Sequence, residues 1–248
     1  MRIITPDEIE QVAWEGALEP LGAAFKEAAP TPRVTLGEPV CWPAEQAMEG
    51  ETGKKWTPPA GDTRYTLVRL ACTLHPPDGP RTRYTEATLT ADLRPRQGER
   101  LIVAHDLYPQ RLTAETKGTY TVKLGPDLKF ADVVEAKLLE VGAEIEYRKV
   151  FPVVQGYGLG ERRPYWRFAH HAASPLVGCQ SVYLVVAAPR DAGDVQLGIE
   201  LVATLETRYG PIRVGLPQEA QAQISRTIQG VERGTAERRK ERTIDDRR

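Results

Sequence analysis

The amino-acid sequence predicts a mainly β protein: an antiparallel β-sandwich with short N-terminal helices and a C-terminal helix. Three observations carry that expectation. From about residue 64 to residue 216, apolar and polar residues alternate with period two, the pattern of half-buried strands. Clusters of proline and glycine punctuate the alternation at turn spacing. Unambiguous helical spacing of apolar residues occurs only near the two ends.

At the N-terminus, Thr5-Pro6-Asp7-Glu8 matches a capping box with proline at the first helical position. Ile9, Val12, Ala13, Leu21, Ala24 and Phe25 follow at helical spacing, and Pro20 divides them. Two short helices, or one kinked helix, are expected between residues 6 and 28. Residues 29–63 are rich in proline and glycine and read as a connecting segment, with one short strand at 33–36. Trp42 and Trp56 lie within it, and rings that large are expected to pack onto the domain.

The alternating region divides into strands at 65–74, 84–93, 100–108, 111–116, 119–124, 144–154, 165–169, 181–188, 195–209 and 212–216. The turn His75-Pro76-Pro77-Asp78-Gly79-Pro80 makes the first two an expected antiparallel hairpin. The segment Pro189–Asp194 does the same for 181–188 and 195–209, where Val195, Leu197, Ile199, Leu201, Ala203 and Leu205 alternate strictly. The two hairpins share an order of apolar strand, proline-rich turn and alternating strand, a weak internal echo. Pro152 points to an edge or a bulge. Residues 133–141 fit helix or strand. Residues 217–232 read as a helix with Ala220, Ile224, Ile228 and Val231 on one stripe, followed by a charged tail. The expected organisation is therefore 1–63, helices and connecting segment; 64–216, β-sandwich; 217–248, helix and tail.

Composition limits the function classes. The chain has 248 residues, of which 41% are hydrophobic and 27% charged, a balance that suits a packed core and argues against wholesale disorder. Net charge is −1, so no nucleic-acid partner is indicated. Cys41, Cys72 and Cys179 are odd in number and widely spaced, without a CxxC pair. They are expected to be buried or half-buried thiols. No leader-like apolar segment opens the chain, and no apolar run reaches the roughly 20 residues of a membrane helix. A cytoplasmic location is expected, and no cofactor or metal is called for.

Chemistry has few places to sit. His75 precedes a turn, and His105 and Asp106 are strand neighbours that point to opposite faces. Serines number three and none lies in a nucleophile elbow. Gly156-x-Gly158-x-Gly160 lacks the spacing and the following helix of a phosphate cradle. The expected binding surface is the segment 156–171, for which the candidate residues are Tyr157, Arg162, Arg163, Trp166, His170 and His171. Aromatics and arginines dominate interface hot spots, and arginine pairs hold carboxylates or phosphates.

These observations lead first to a non-enzymatic binding or protein-interaction module of the cytosol, self-associating or docking a partner through the C-terminal helix. The second reading is an enzyme or small-ligand binder using the 156–171 loop and the histidine pair. The third is a membrane-active β-protein, with alternating strands such as 195–209 as barrel staves.

Overall fold

The computed structural model describes residues 2–3, 11–22, 31–49, 54–79, 81–96, 98, 100–121 and 144–228. The expectations for 133–141 and for the charged tail lie outside the described residues. In chain order the elements are β1 (Arg2–Ile3), β2 (Val12–Ala17), β3 (Glu19–Pro20), β4 (Arg33–Gly37), β5 (Val40–Pro43), α1 (Ala44–Ala47), β6 (Met48–Glu49), β7 (Thr63–Leu74) and β8 (Arg83–Pro95). They continue as β9 (Val103–Tyr108), β10 (Arg111–Thr121), β11 (Glu144–Tyr157), β12 (Tyr165–Ala169), β13 (Gly178–Pro189), β14 (Val195–Thr207), β15 (Gly210–Gly215), α2 (Gln218–Ile224) and β16 (Arg226–Ile228).

The chain is mainly β, and its strands form two large antiparallel sheets packed as a sandwich, with β1 and β6 paired as a separate two-stranded sheet. One sheet runs β10-β11-β12-β8-β14-β15-β3, with β16 also on β14. The other runs β2-β4-β7-β13-β9, with β5 also on β7. The core is what the period-two pattern demands. Leu89, Ala91 and Leu93 of β8 and Leu197, Leu201 and Leu205 of β14 meet Val68, Leu70 and Leu74 of β7 and Val182, Leu184 and Val186 of β13. Leu18, Val34 and Leu36 join this cluster from the first 63 residues, as do Ala220, Ile224 and Ile228 from beyond 216.

The strands were legible, but two of their pairings were not. β7 and β8 do not pair with each other. β7 pairs with β13, and β8 pairs with β14. Each proline-rich connection thus carries the chain across the sandwich instead of folding it back within one sheet. The two arches, β7–β8 and β13–β14, therefore lie side by side, paired strand to strand in both sheets. β10 is one strand through Gly118, not two. The shift at Pro152 is present: the β10–β11 register slips between Leu112 and Thr113.

The N-terminal helices are corrected where the chain is described. Residues 12–17 form a strand that pairs with β4, so tertiary pairing overrides the local helical spacing. Residues 4–10 and 23–30 lie outside the described residues. The tryptophans behave as expected. Trp42 and Trp56 flank a smaller cluster around Met48, Leu67 and Val185, and Trp56 meets Tyr65 edge-on at 5.4 Å. The C-terminal helix is shorter than expected: α2 ends at Ile224, and β16 follows. Ala220 and Ile224 are buried in the chain's own core, so this stripe is not a free docking face. Of the cysteines, Cys72 is buried, whereas Cys41 and Cys179 are exposed, against the expectation for all three.

One core position gives a simple test. Tyr84 is 1% exposed and its hydroxyl has no hydrogen-bond partner. An unmade buried hydrogen bond costs about 1–3 kcal/mol. Tyr84→Phe is therefore expected to leave stability unchanged or raise it by about 1 kcal/mol, as read by urea denaturation.

Candidate functional site

The six candidate residues are placed by the β11–β12 connection. Residues 160–164 of that connection tie the two sheets together. Ala104 N donates to Glu161 O and Gly160 N to Ala104 O, while Ala91 N donates to Pro164 O and Leu93 N to Arg162 O. Glu161 N donates to Gly158 O. The amides of Gly160 and Glu161 are thus spent within the fold, not turned outward toward an anion. Gly158 has φ +84°, and a Cβ there would lie 2.9 Å from Pro164 Cα. Gly158→Ala is expected to cost about 1–3 kcal/mol in chemical denaturation, because both conformation and space exclude the methyl group.

The side chains do not converge. Tyr157 stacks on Tyr165 at 4.9 Å with its hydroxyl donating to Gln155. Arg162 donates to the Arg100 carbonyl. Arg163 grips both oxygens of Glu200 on β14, at 3.0 and 2.9 Å. Trp166 is fully buried among core residues. His170 is tied through its backbone amide to Thr85 O, and His171 forms a bridge with Ser174 and accepts from Ala173 N at Nδ1. Among the described residues, no three His, Cys, Asp or Glu side chains gather as a metal site.

Two other features stand out. The first is a polar cleft of about 290 Å³ between the outer face of β8 and β14 and helix α2. Asp92, Arg94, Gln196, Glu200, Gln218 and Gln221 line it. Arg94 donates to Asp92 Oδ2 from Nε and Nη2, at 2.9 and 2.5 Å. That bond, with the charges of Asp92 and Glu200, raises the Arg94 pKa above its ordinary value. Sequence reasoning missed this cleft because its lining comes from segments more than a hundred residues apart.

The second feature is the β10–β11 ribbon at the edge of the larger sheet. Only Val154–Tyr157 of β11 pair with β12. From Thr113↔Pro152 to Thr121↔Glu144, β10 and β11 pair with each other and, among the described residues, with no other strand. The two strands have 11 and 14 residues. Their register sets positions 114, 116, 118 and 120 opposite 151, 149, 147 and 145. In sequence that face reads Ala, Thr, Gly, Tyr against Phe, Lys, Tyr, Ile, and the other reads Thr113, Glu115, Lys117, Thr119 and Thr121 against Pro152, Val150, Arg148, Glu146 and Glu144. By contrast, β14, which the alternation singled out as a stave, is fixed between β8 and β15 with its apolar face in the core.

No protein-family model matches the chain, and no curated protein sequence matches it. Solved structures match it loosely. NetB toxin of Clostridium perfringens in its membrane-inserted form has 10% identity and a TM-score of 0.33, over 87% of this chain and 93% of that one. Clostridium perfringens delta-toxin has 8% identity and a TM-score of 0.33, over 75% and 86%. A pore forming protein has 7% identity and a TM-score of 0.34, over 92% and 93%. Likeness at this level carries no residue of those proteins onto this chain. All three are toxins or pore-forming proteins by name, which is at odds with the first expectation. A cytosolic, non-enzymatic binding or interaction module, with its cytoplasmic location, is not retained.

Proposed function

We propose that this chain is a membrane-active β-protein that inserts the β10–β11 ribbon into a bilayer. The observation that carries the proposal is the ribbon itself: long, paired among the described residues only with itself beyond Leu112↔Val154, and divided by its register into a mostly apolar and a charged face. An isolated two-stranded hairpin is marginal in water, so a ribbon that leaves its sheet needs another environment.

Length fits that environment. A membrane strand needs about 9–11 residues at a tilt near 45°. Eleven residues of β10 extend about 36 Å, which spans about 25 Å of apolar thickness at that tilt. The alternation fits as well, since barrel staves turn apolar residues to lipid and polar ones to the lumen. Lys149, opposite Thr116, is the single charge on the apolar face, and its long stem is suited to carrying the ammonium toward an interface.

A lone ribbon cannot insert stably. Inside a bilayer every backbone N–H and C=O needs a partner, and β10 is an edge strand. The outer edges of the ribbon must pair with ribbons of further copies until a barrel closes. Self-association through strand edges therefore belongs to the proposal, in place of a helix-mediated contact. No helix among the described residues is long and apolar enough to cross a membrane, which does not bear on strands.

Dye-loaded vesicles test the reading. Wild-type protein is expected to release dye with a steep dependence on protein concentration. No release from zwitterionic, anionic or sterol-containing vesicles, with the protein folded throughout, would overturn it.

A further inference from the structure

We propose that the cleft between β8, β14 and α2 binds a neutral saccharide of about one sugar unit. The proposal does not rest on membrane insertion, because sugar binding is read without a bilayer.

Asp92 carries the site. It is 8% exposed, and both bonds from Arg94 fall on Oδ2. Oδ1 has no partner among the described residues, yet the residue lines the cleft. A nearly buried carboxylate with one free oxygen is an acceptor held ready for a donor. Gly198 lies opposite Asp92 in the β8–β14 register and also lines the cleft, so no side chain covers the carboxylate from there.

The rest of the lining decides the ligand class. Each carboxylate already has an arginine: Asp92 has Arg94, and Glu200 has Arg163. A cation would find its counter-charge already taken, and an anion would face two carboxylates. What remains is neutral: hydrogen-bonding side chains beside the apolar Ile199 and Ala222. Gln196 and Gln218 supply amides that both donate and accept, and Gln221 keeps its side-chain oxygen while its amide nitrogen reaches Leu216 O. A ligand that donates and accepts from several directions without charge matches this set, and vicinal hydroxyls do so. The volume, about 290 Å³, lies at the small end of ligand pockets, which admits one sugar ring and not a chain.

The geometry also marks where to intervene. A Cβ on Gly198 would meet only Asp92, at 3.6 and 3.8 Å, which is ordinary contact. Gly198→Val therefore fills the floor of the cleft without a clash at Cβ. Gln218 is exposed on α2, so Gln218→Ala removes a ligand contact without touching the core.

Ligand-observed NMR and calorimetry with glucose, galactose, mannose, N-acetylglucosamine and N-acetylgalactosamine form one arm of the test. Vesicles bearing glycolipids that end in the same sugars form the other. At least one sugar is expected to bind, with affinity lowered about tenfold or more by Gly198→Val and severalfold by Gln218→Ala, at unchanged melting temperature. Binding in solution assigns a free saccharide, and binding only on vesicles assigns a lipid-borne one. No binding in either arm, or binding that both variants leave intact, overturns the proposal. Dye release from vesicles without glycolipid, measured separately, distinguishes this failure from failure of the insertion reading.

Discussion

Tyr147→Arg is expected to abolish dye release, whereas Glu146→Arg is expected to leave it within about twofold of wild type. The two positions are neighbours on one strand and fall on opposite faces of the β10–β11 ribbon. Position 147 lies opposite Gly118, near the middle of the free-standing ribbon and on its apolar face. A charge on the lipid face near the bilayer midplane costs about 2–4 kcal/mol, or roughly 30- to 1,000-fold in insertion for each copy. Every copy of an assembled barrel carries that cost, so the effect multiplies with copy number. Glu146→Arg exchanges one charge for another on the polar face, where water remains. Both variants are expected to keep the wild-type melting temperature, because among the described residues this part of the ribbon pairs with no sandwich strand. Equal loss in both would remove the assignment of faces.

The largest effect on stability is expected at Trp166. Trp166→Ala should destabilise the fold by about 3–5 kcal/mol in urea denaturation. The ring is fully buried in β12, between Leu89 of β8 and Gly156 of β11 in the register. A Cβ on Gly156 would stand 3.4 Å from Nε1, so the indole occupies the space that glycine leaves. Removing it opens a large cavity that neighbouring strands cannot close without breaking their ladders. Trp166→Phe should cost much less, because it also removes a buried N–H that has no partner. A cost below about 1 kcal/mol for Trp166→Ala would mean that the residue is not core.

The position of Trp166 explains how far the sequence could be read. Alternation at 84–93, 165–169 and 195–209 located strands, because which face a residue takes is a local property. Which strand lies beside it is not. A proline-rich turn after Leu74 looks the same whether the chain returns to its own sheet or crosses to the other. Pairing of β7 with β13 and of β8 with β14 is decided by burial between segments far apart. Val12–Ala17 shows the same limit, since β4 supplies the partner that turns a helical spacing into a strand.

The candidate site followed the same logic. Tyr157, Arg163 and Trp166 cluster in sequence, and composition cannot separate a ring that fills core from one that awaits a partner. Arg163 proves to be the counter-charge of Glu200, at the margin of a cleft assembled by strand pairing. The expected break between 116 and 119 misled in another way: it divided β10 and hid the ribbon. The face pattern of that ribbon becomes visible only once the register with β11 is known.

The most direct measurement follows single labels along β10. An environment-sensitive fluorophore is placed in turn at positions 115 to 120, in protein whose Cys41 and Cys179 are replaced by serine. On adding vesicles, emission is expected to shift blue and rise at 116, 118 and 120 while 115, 117 and 119 stay water-like. Emission that is unchanged by vesicles at all six positions, or that rises without alternation, would contradict insertion of the ribbon.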